Sequence, residues 1–241
     1  MTTNATSSPD ATAPVRSRRP TGPHLGALAL ISLGLTVAGV VTAALLADGQ
    51  AYVSPFAPTA QLLAYYGEHG RAARVSATLL FGSAVPLGIF AATVYTRLLR
   101  LGIRVPGPSI GFFGGITASL TLMVSAVAGW ILGRPEIGAD ASVTRALAFL
   151  SFLTGGVGFV VGLGLLVAGV AVPALVLRLT PRWLAWAGLV IAAVCELSFL
   201  AMAIQPMQLL LPVGRYAGLL WLIGVGFLLP TRRPTAREDQ R

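Results

Sequence analysis

Six apolar segments, each long enough to cross a bilayer, follow one another along this chain, and their side chains include a single carboxyl, Glu196. An α-helical span needs about 20 mostly apolar residues. The segments fall at 25–47, 75–96, 108–131, 146–171, 183–204 and 212–230. Of the 241 residues 55% are hydrophobic and only 10% charged, against about 25% charged in soluble domains. Such a chain lacks the polar residues to cover a water-facing surface, so the lipid bilayer is its expected solvent and first partner. The expected fold is all-α: a six-helix transmembrane bundle.

Residues 1–22 are rich in Thr, Ser, Ala and Pro and carry Arg16, Arg18 and Arg19, which reads as a disordered cytoplasmic tail. Their long polar lead and the span-length apolar run behind them do not fit a cleaved signal peptide. The transmembrane domain is expected over 23–230, with a second cytoplasmic tail at 231–241. Pro108 before Ser109 and Pro181 before Arg182 fit helix starts. Pro86 and Pro173 are expected to kink or end a helix.

The net charge of +9 rests on 17 arginines, with no lysine. These arginines form no dense patch, so nucleic acid is not an expected partner. They return in clusters between the apolar runs, as the positive-inside rule requires. With the N-terminus inside, 12 arginines fall on the inner side and 5 on the outer, the latter including Arg145 and Arg215. The chain is therefore expected in the inner (plasma) membrane, multi-pass, with both termini cytoplasmic.

The connection at 48–74 is the one long loop expected. It holds Tyr52, Phe56, Tyr65, Tyr66, Glu68, His69 and Arg71, and Pro58 fits the start of a short helix over Thr59–Tyr66. Two readings stand: an interfacial helix with an aromatic belt, or a lid over an outward-facing pocket, since long loops are often functional.

Cys195 is the only cysteine, which excludes an intramolecular disulfide and a cysteine metal cluster. His24 and His69 lie outside the apolar cores. That rules out a bis-histidine haem within the bundle and a zinc helix of the HExxH type. No cofactor and no metal are expected.

A carboxyl inside a span is costly and calls for a reason. Glu196 has three: a neutral carboxyl bonded to a hydroxyl, a partner for Arg145, Arg215 or His69, or a proton or cation relay. At a rise of about 1.5 Å per residue, Ser83, Thr121 and Thr154 are expected at its depth, forming one polar layer in the outer half. In span three, Thr117, Thr121 and Ser125 recur every four residues beside Gly114, Ala118 and Gly129. Such a face serves close packing or walls a polar cavity. Gly158 and Gly162 form a GxxxG pair in span four. Helix packing is one reading there; unwinding at Gly155–Gly156 beside a ligand site is the other.

No span holds two carboxylates, a histidine poised to activate a nucleophile, or a carboxylate cluster for Mg²⁺, so the chain does not read as an enzyme. Two functions remain. One is a structural, interaction or regulatory membrane protein, with a second copy or another membrane protein as partner. The other is a small transporter or channel for a proton, cation or small solute with its site near Glu196.

The stretches Tyr52–Phe56 (YVSPF), Phe81–Phe90 (FGSAVPLGIF), Thr154–Gly158 (TGGVG), Glu196–Leu200 (ELSFL) and Gly214–Pro230 (GRYAGLLWLIGVGFLLP) carry a resemblance. Over about 48–230 the chain resembles a family of uncharacterised bacterial integral membrane proteins common in high-GC actinobacteria. The resemblance implies a multi-span fold and assigns no catalytic residue.

Overall fold

A run of apolar residues in lipid must satisfy every backbone N–H and C=O internally, and an α-helix does so within one segment. In the computed structural model, which describes residues 22–50, 52–137 and 140–231, every regular element among those residues is helical. Six helical stretches are long and apolar enough to cross a membrane. The two expected tails, except for Gly22 and Thr231, lie outside the described residues.

The first span is α1 (Leu25–Leu46), the second α2 (Thr59–Arg100) and the third α3 (Pro106–Leu132). Span four is built of α4 (Ala141–Phe152), a π-helical turn (Leu153–Gly158) and α5 (Phe159–Val176). Span five is α6 (Arg182–Leu197), extended by a 3₁₀ turn at Ser198–Met202. Another 3₁₀ turn, Gln205–Leu209, leads into α7 (Leu210–Leu228), the sixth span.

Several boundaries depart from the sequence reading. The long loop expected at 48–74 is mostly helix: α2 starts at Thr59, directly after Pro58, and runs for 42 residues into the span. The short helix expected over Thr59–Tyr66 is its first two turns. The backbone breaks at His69 (φ −113°, ψ 26°) rather than at Pro86, which lies buried inside the helix. The break lets Gly70 meet the end of α3: a Cβ there would lie 2.7 Å from the Gly133 carbonyl oxygen. Helix α3 begins at Pro106, two residues before the expected Pro108, whereas Pro181 stands directly before α6 as expected. Pro173 lies in the last turn of α5.

Neighbours in sequence are neighbours in space, as short connections dictate. Helix α1 packs on α2, α2 on α3, α3 on α5, α5 on α6 and α6 on α7, and α7 returns to α1. Lipid tails are as apolar as leucine, so close backbone packing rather than water exclusion joins such helices. Small residues provide it. A Cβ added at Gly162 of α5 would lie 2.6 Å from the Ala118 nitrogen and 2.9 Å from the Gly114 oxygen of α3. Gly188 of α6 lies under the Trp221 indole of α7, whose Nε1–H donates to the Leu184 carbonyl at 2.7 Å. Gly26 of α1 takes the Phe227 ring of α7, and His24 stacks on that ring 5.0 Å away. At the opposite ends of α1 and α7, Ala43 and Ala44 on one side and Leu211 and Pro212 on the other border a cavity instead.

Candidate functional site

The cavity has a volume of about 620 Å³, within the roughly 300–1,000 Å³ of ligand pockets. Much of its apolar wall comes from Val40, Ala43 and Ala44 of α1, Ala73, Ala77 and Leu80 of α2, and Leu122 and Ala126 of α3, with Leu211 and Pro212 of α7 beside them. Its polar wall comes from Ser125 of α3, Ser151 of α4, the π-helical turn and Arg215 of α7. Gly49, Gln50 and Tyr52 of the segment between α1 and α2, with Tyr65 and Tyr66 of the first turns of α2, line one end.

The π-helical turn explains why the polar groups meet here. Its sequence, Leu153-Thr-Gly-Gly-Val-Gly158, has three glycines in six residues. Glycine weakens helical order, and single π-turns inside α-helices are frequent at functional sites. Gly155 also has no room for a side chain, because a Cβ would lie 2.8 Å from the Ser125 Cβ. In that space the Ser125 hydroxyl donates to the Ser151 carbonyl at 2.8 Å, and the two serine hydroxyls lie 3.2 Å apart. The Tyr52 phenol lies within reach of Ser151 and accepts from the Tyr66 hydroxyl at 2.7 Å.

Arg215 completes the wall. Its guanidinium donates from Nη2 to the Gly155 carbonyl and lies over the Phe159 ring, 4.8 Å from the centroid. A cation over an aromatic face is attracted by the ring quadrupole, but neither contact supplies a negative charge. Among the described residues no carboxylate lies within 4.0 Å of Arg215. It is also the one charged side chain among those lining the cavity.

None of Ser83, Thr121, Thr154 and Glu196, expected to share a polar layer, lines this cavity; of the other candidate residues, Arg215 does and His69 does not. Ser83 is buried and donates to the Leu80 carbonyl at 2.8 Å, while its own carbonyl accepts from Ser32. Thr121 donates to the Thr117 carbonyl at 2.9 Å and packs its methyl toward Gly158. Thr154 is half-buried and donates to the Leu150 carbonyl at 2.6 Å. A hydroxyl bonded to its own helix needs no partner across the bundle, so the four-residue layer is not assembled. His69 lies behind the cavity wall, its ring 5.3 Å from Tyr65 and its Nε2 3.9 Å from Glu68.

Glu196 lies at the end of α6, against Gly164 of α5. Its Oε1 is buried and has no hydrogen-bond partner. The pairing expected with Arg145, Arg215 or His69 is not formed. Arg145 instead donates to the Ala57 carbonyl at 3.0 Å and to the Thr59 hydroxyl at 2.6 Å.

Comparison with protein-family models, with curated proteins and with solved structures finds no match.

Arg215 was expected at a site, but beside Glu196 rather than Gly155, and Ser151 was not expected there at all. Counting arginines assigns each one to a side of the membrane, which hides one that turns into the bundle. The signal that did exist was Gly155–Gly156 beside Ser151: two glycines in an apolar span mark backbone that another group approaches closely.

Proposed function

We propose that this chain is a small-molecule-binding protein of the plasma membrane, a carrier or ligand sensor rather than an enzyme, whose ligand occupies the cavity beside Arg215. The observation that carries this reading is the half-buried arginine of α7 that lines the cavity and donates to the irregular turn of span four. An ionisable side chain inside a span marks a functional site by default, and irregular backbone at membrane depth is tolerated where it lines a cavity. The reading moves the expected solute site from Glu196 to Arg215. The arginine asymmetry supports cytoplasmic termini, which would put the cavity in the outer half of the bilayer. The expected loop region 48–74 then fits the lid reading, since Tyr52 ahead of α2 and Tyr65 and Tyr66 in its first turns wall the cavity. Membership of the bacterial membrane-protein family that the chain resembles fits the same picture.

A purely structural or partner-binding role has less support. It rests on packing glycines, on the lack of polar pairs within spans and on short cytoplasmic loops, and the glycines Gly158 and Gly162 pack against α3 of the same chain.

Single-cysteine labelling tests the proposal in a Cys195→Ser background. In intact cells a membrane-impermeant maleimide should modify Gln50→Cys but not Arg104→Cys, and a small methanethiosulfonate should reach Ser76→Cys on the cavity wall. Labelling of Arg104→Cys from outside would reverse the orientation. A Ser76→Cys thiol that resists every reagent would remove the cavity.

A further inference from the structure

The cavity is polar on one side and apolar on the other, and its polar side holds a cation without a counter-charge. We infer that its occupant is a single-chain amphiphile with an anionic head, of the fatty-acid type, taken from the bilayer with its carboxylate on Arg215 and its chain along α1, α2 and α3. This rests on the ligand-binding reading above and specifies the ligand.

Charge decides the head. A charge withdrawn from water is ordinarily paired, and Arg215, half-buried on the cavity wall, has only a carbonyl oxygen and a ring face. A guanidinium carries five N–H donors in a planar fork, so the Gly155 contact leaves donors for a ligand. That fork matches a carboxylate two bonds at a time. The Ser125 and Ser151 hydroxyls donate to each other's main-chain carbonyls, which makes that wall polar and leaves the Arg215 fork as the donor for the head. A cationic head would meet Arg215 with like charge.

Apolar surface decides the tail. A fully polar solute would leave Ala43, Ala44, Ala77, Leu80 and Leu122 facing a wet space, whereas a hydrocarbon chain covers them. Val40 of α1 borders the cavity while 46% exposed. An alkyl chain passing that helix leaves lipid for a wall of the same polarity. The volume, about 620 Å³, is that of a site for one small ligand, which favours one chain over a two-chain lipid.

The test uses the full chain in phosphatidylcholine nanodiscs, with empty discs as the partition background. Radiolabelled dodecanoate, dodecanol, dodecyltrimethylammonium and acetate are titrated in turn. Dodecanoate should show a saturable component about tenfold tighter than dodecanol, as one charge-assisted pair supplies. Acetate and the cation should show none. Ala44→Trp, which fills the apolar wall, should abolish the dodecanoate component, and Arg215→Gln should lower it to the dodecanol level. If Arg215→Gln does not fold, the ratio of dodecanoate to dodecanol on the unaltered chain decides the charge by itself. Equal binding of dodecanol, lost in Ala44→Trp, would overturn the anionic head and leave the ligand-binding reading intact. Equal binding of acetate would overturn the chain, and preference for the cation would overturn the charge. No saturable binding of any probe would overturn both inference and reading.

Discussion

Arg215 of α7 donates to the main-chain carbonyl of Gly155, in the one π-helical turn among the described residues. A side chain on the sixth span thus holds the backbone of the fourth at its least regular point. Around that contact lie the groups that make the cavity amphipathic: Ser125, Ser151 and the Phe159 ring. The contact needs both residues. Glycine provides an approachable backbone, and arginine provides the reach and a charge that persists at every physiological pH.

Gly155→Ala should destabilise the chain by about 1–3 kcal/mol, the usual cost of overpacking. Its new methyl would lie 2.8 Å from the Ser125 Cβ, which the α3 backbone fixes. Ser125→Gly in the same chain should restore most of the loss by removing that atom. The measurement is thermal unfolding of the two single variants and the double variant in one detergent. Strictly additive effects would show that the two positions do not collide.

Two glycines of span four should differ in their tolerance. A Cβ at Gly162 meets backbone, the Ala118 nitrogen at 2.6 Å, whereas at Gly158 it meets the Thr121 methyl at 3.1 Å. Backbone cannot swing aside and a methyl can. Gly162→Ala should therefore cost about 1–3 kcal/mol. Gly158→Ala should stay within about 1 kcal/mol, helped by alanine's better helix propensity. Equal melting temperatures for the two variants would contradict this order.

The bundle was legible in the sequence because lipid leaves few choices. Each of the six apolar runs became a span, since an uninterrupted apolar segment has only a helix to satisfy its backbone. Boundaries were less legible where polar residues continue a helix past the apolar core. Glu68 and Arg71 read as loop, yet they belong to α2, because helical order asks only for backbone bonds and tolerates polar side chains. Proline misled for a similar reason. Pro86 was an expected kink, but the break came at His69, between Gly67 and Gly70, where two glycines lower the cost of leaving helical φ/ψ. The site was half legible. The small-residue face of α3 and the glycines of span four both pointed to the region. Depth counting could not say that Thr121 and Thr154 bond to their own helices, because it fixes height in the membrane but not direction around the axis.

Arg145→Gln should loosen the start of α2 while leaving the spans intact. Arg145 ties α4 to the Ala57 carbonyl and the Thr59 hydroxyl, so it anchors the segment whose tyrosines wall the cavity. A hydrogen bond to a charged group contributes about 1.5–3 kcal/mol. Its removal should speed amide exchange over residues 52–62 well above the change in α3 or α5. Unchanged exchange there would mean that the stacking of Phe56 on Phe149 and Phe152, at 5.1 and 5.6 Å, suffices by itself.

Glu196→Gln separates the two candidate charges. Glu196 lies outside the cavity lining, and its buried Oε1 has no hydrogen-bond partner. An amide of the same size removes an ionisable group from a span and breaks no bond that the carboxyl makes. The variant should match the parent in melting temperature within the equivalent of about 0.5 kcal/mol, as substitutions that disturb no specific contact do. It should also leave dodecanoate binding unchanged in nanodiscs. Arg215→Gln should behave oppositely in the binding assay, because there the charge faces the ligand. Loss of binding in Glu196→Gln with Arg215→Gln unaffected would return the site to the carboxyl of span five and remove it from the cavity.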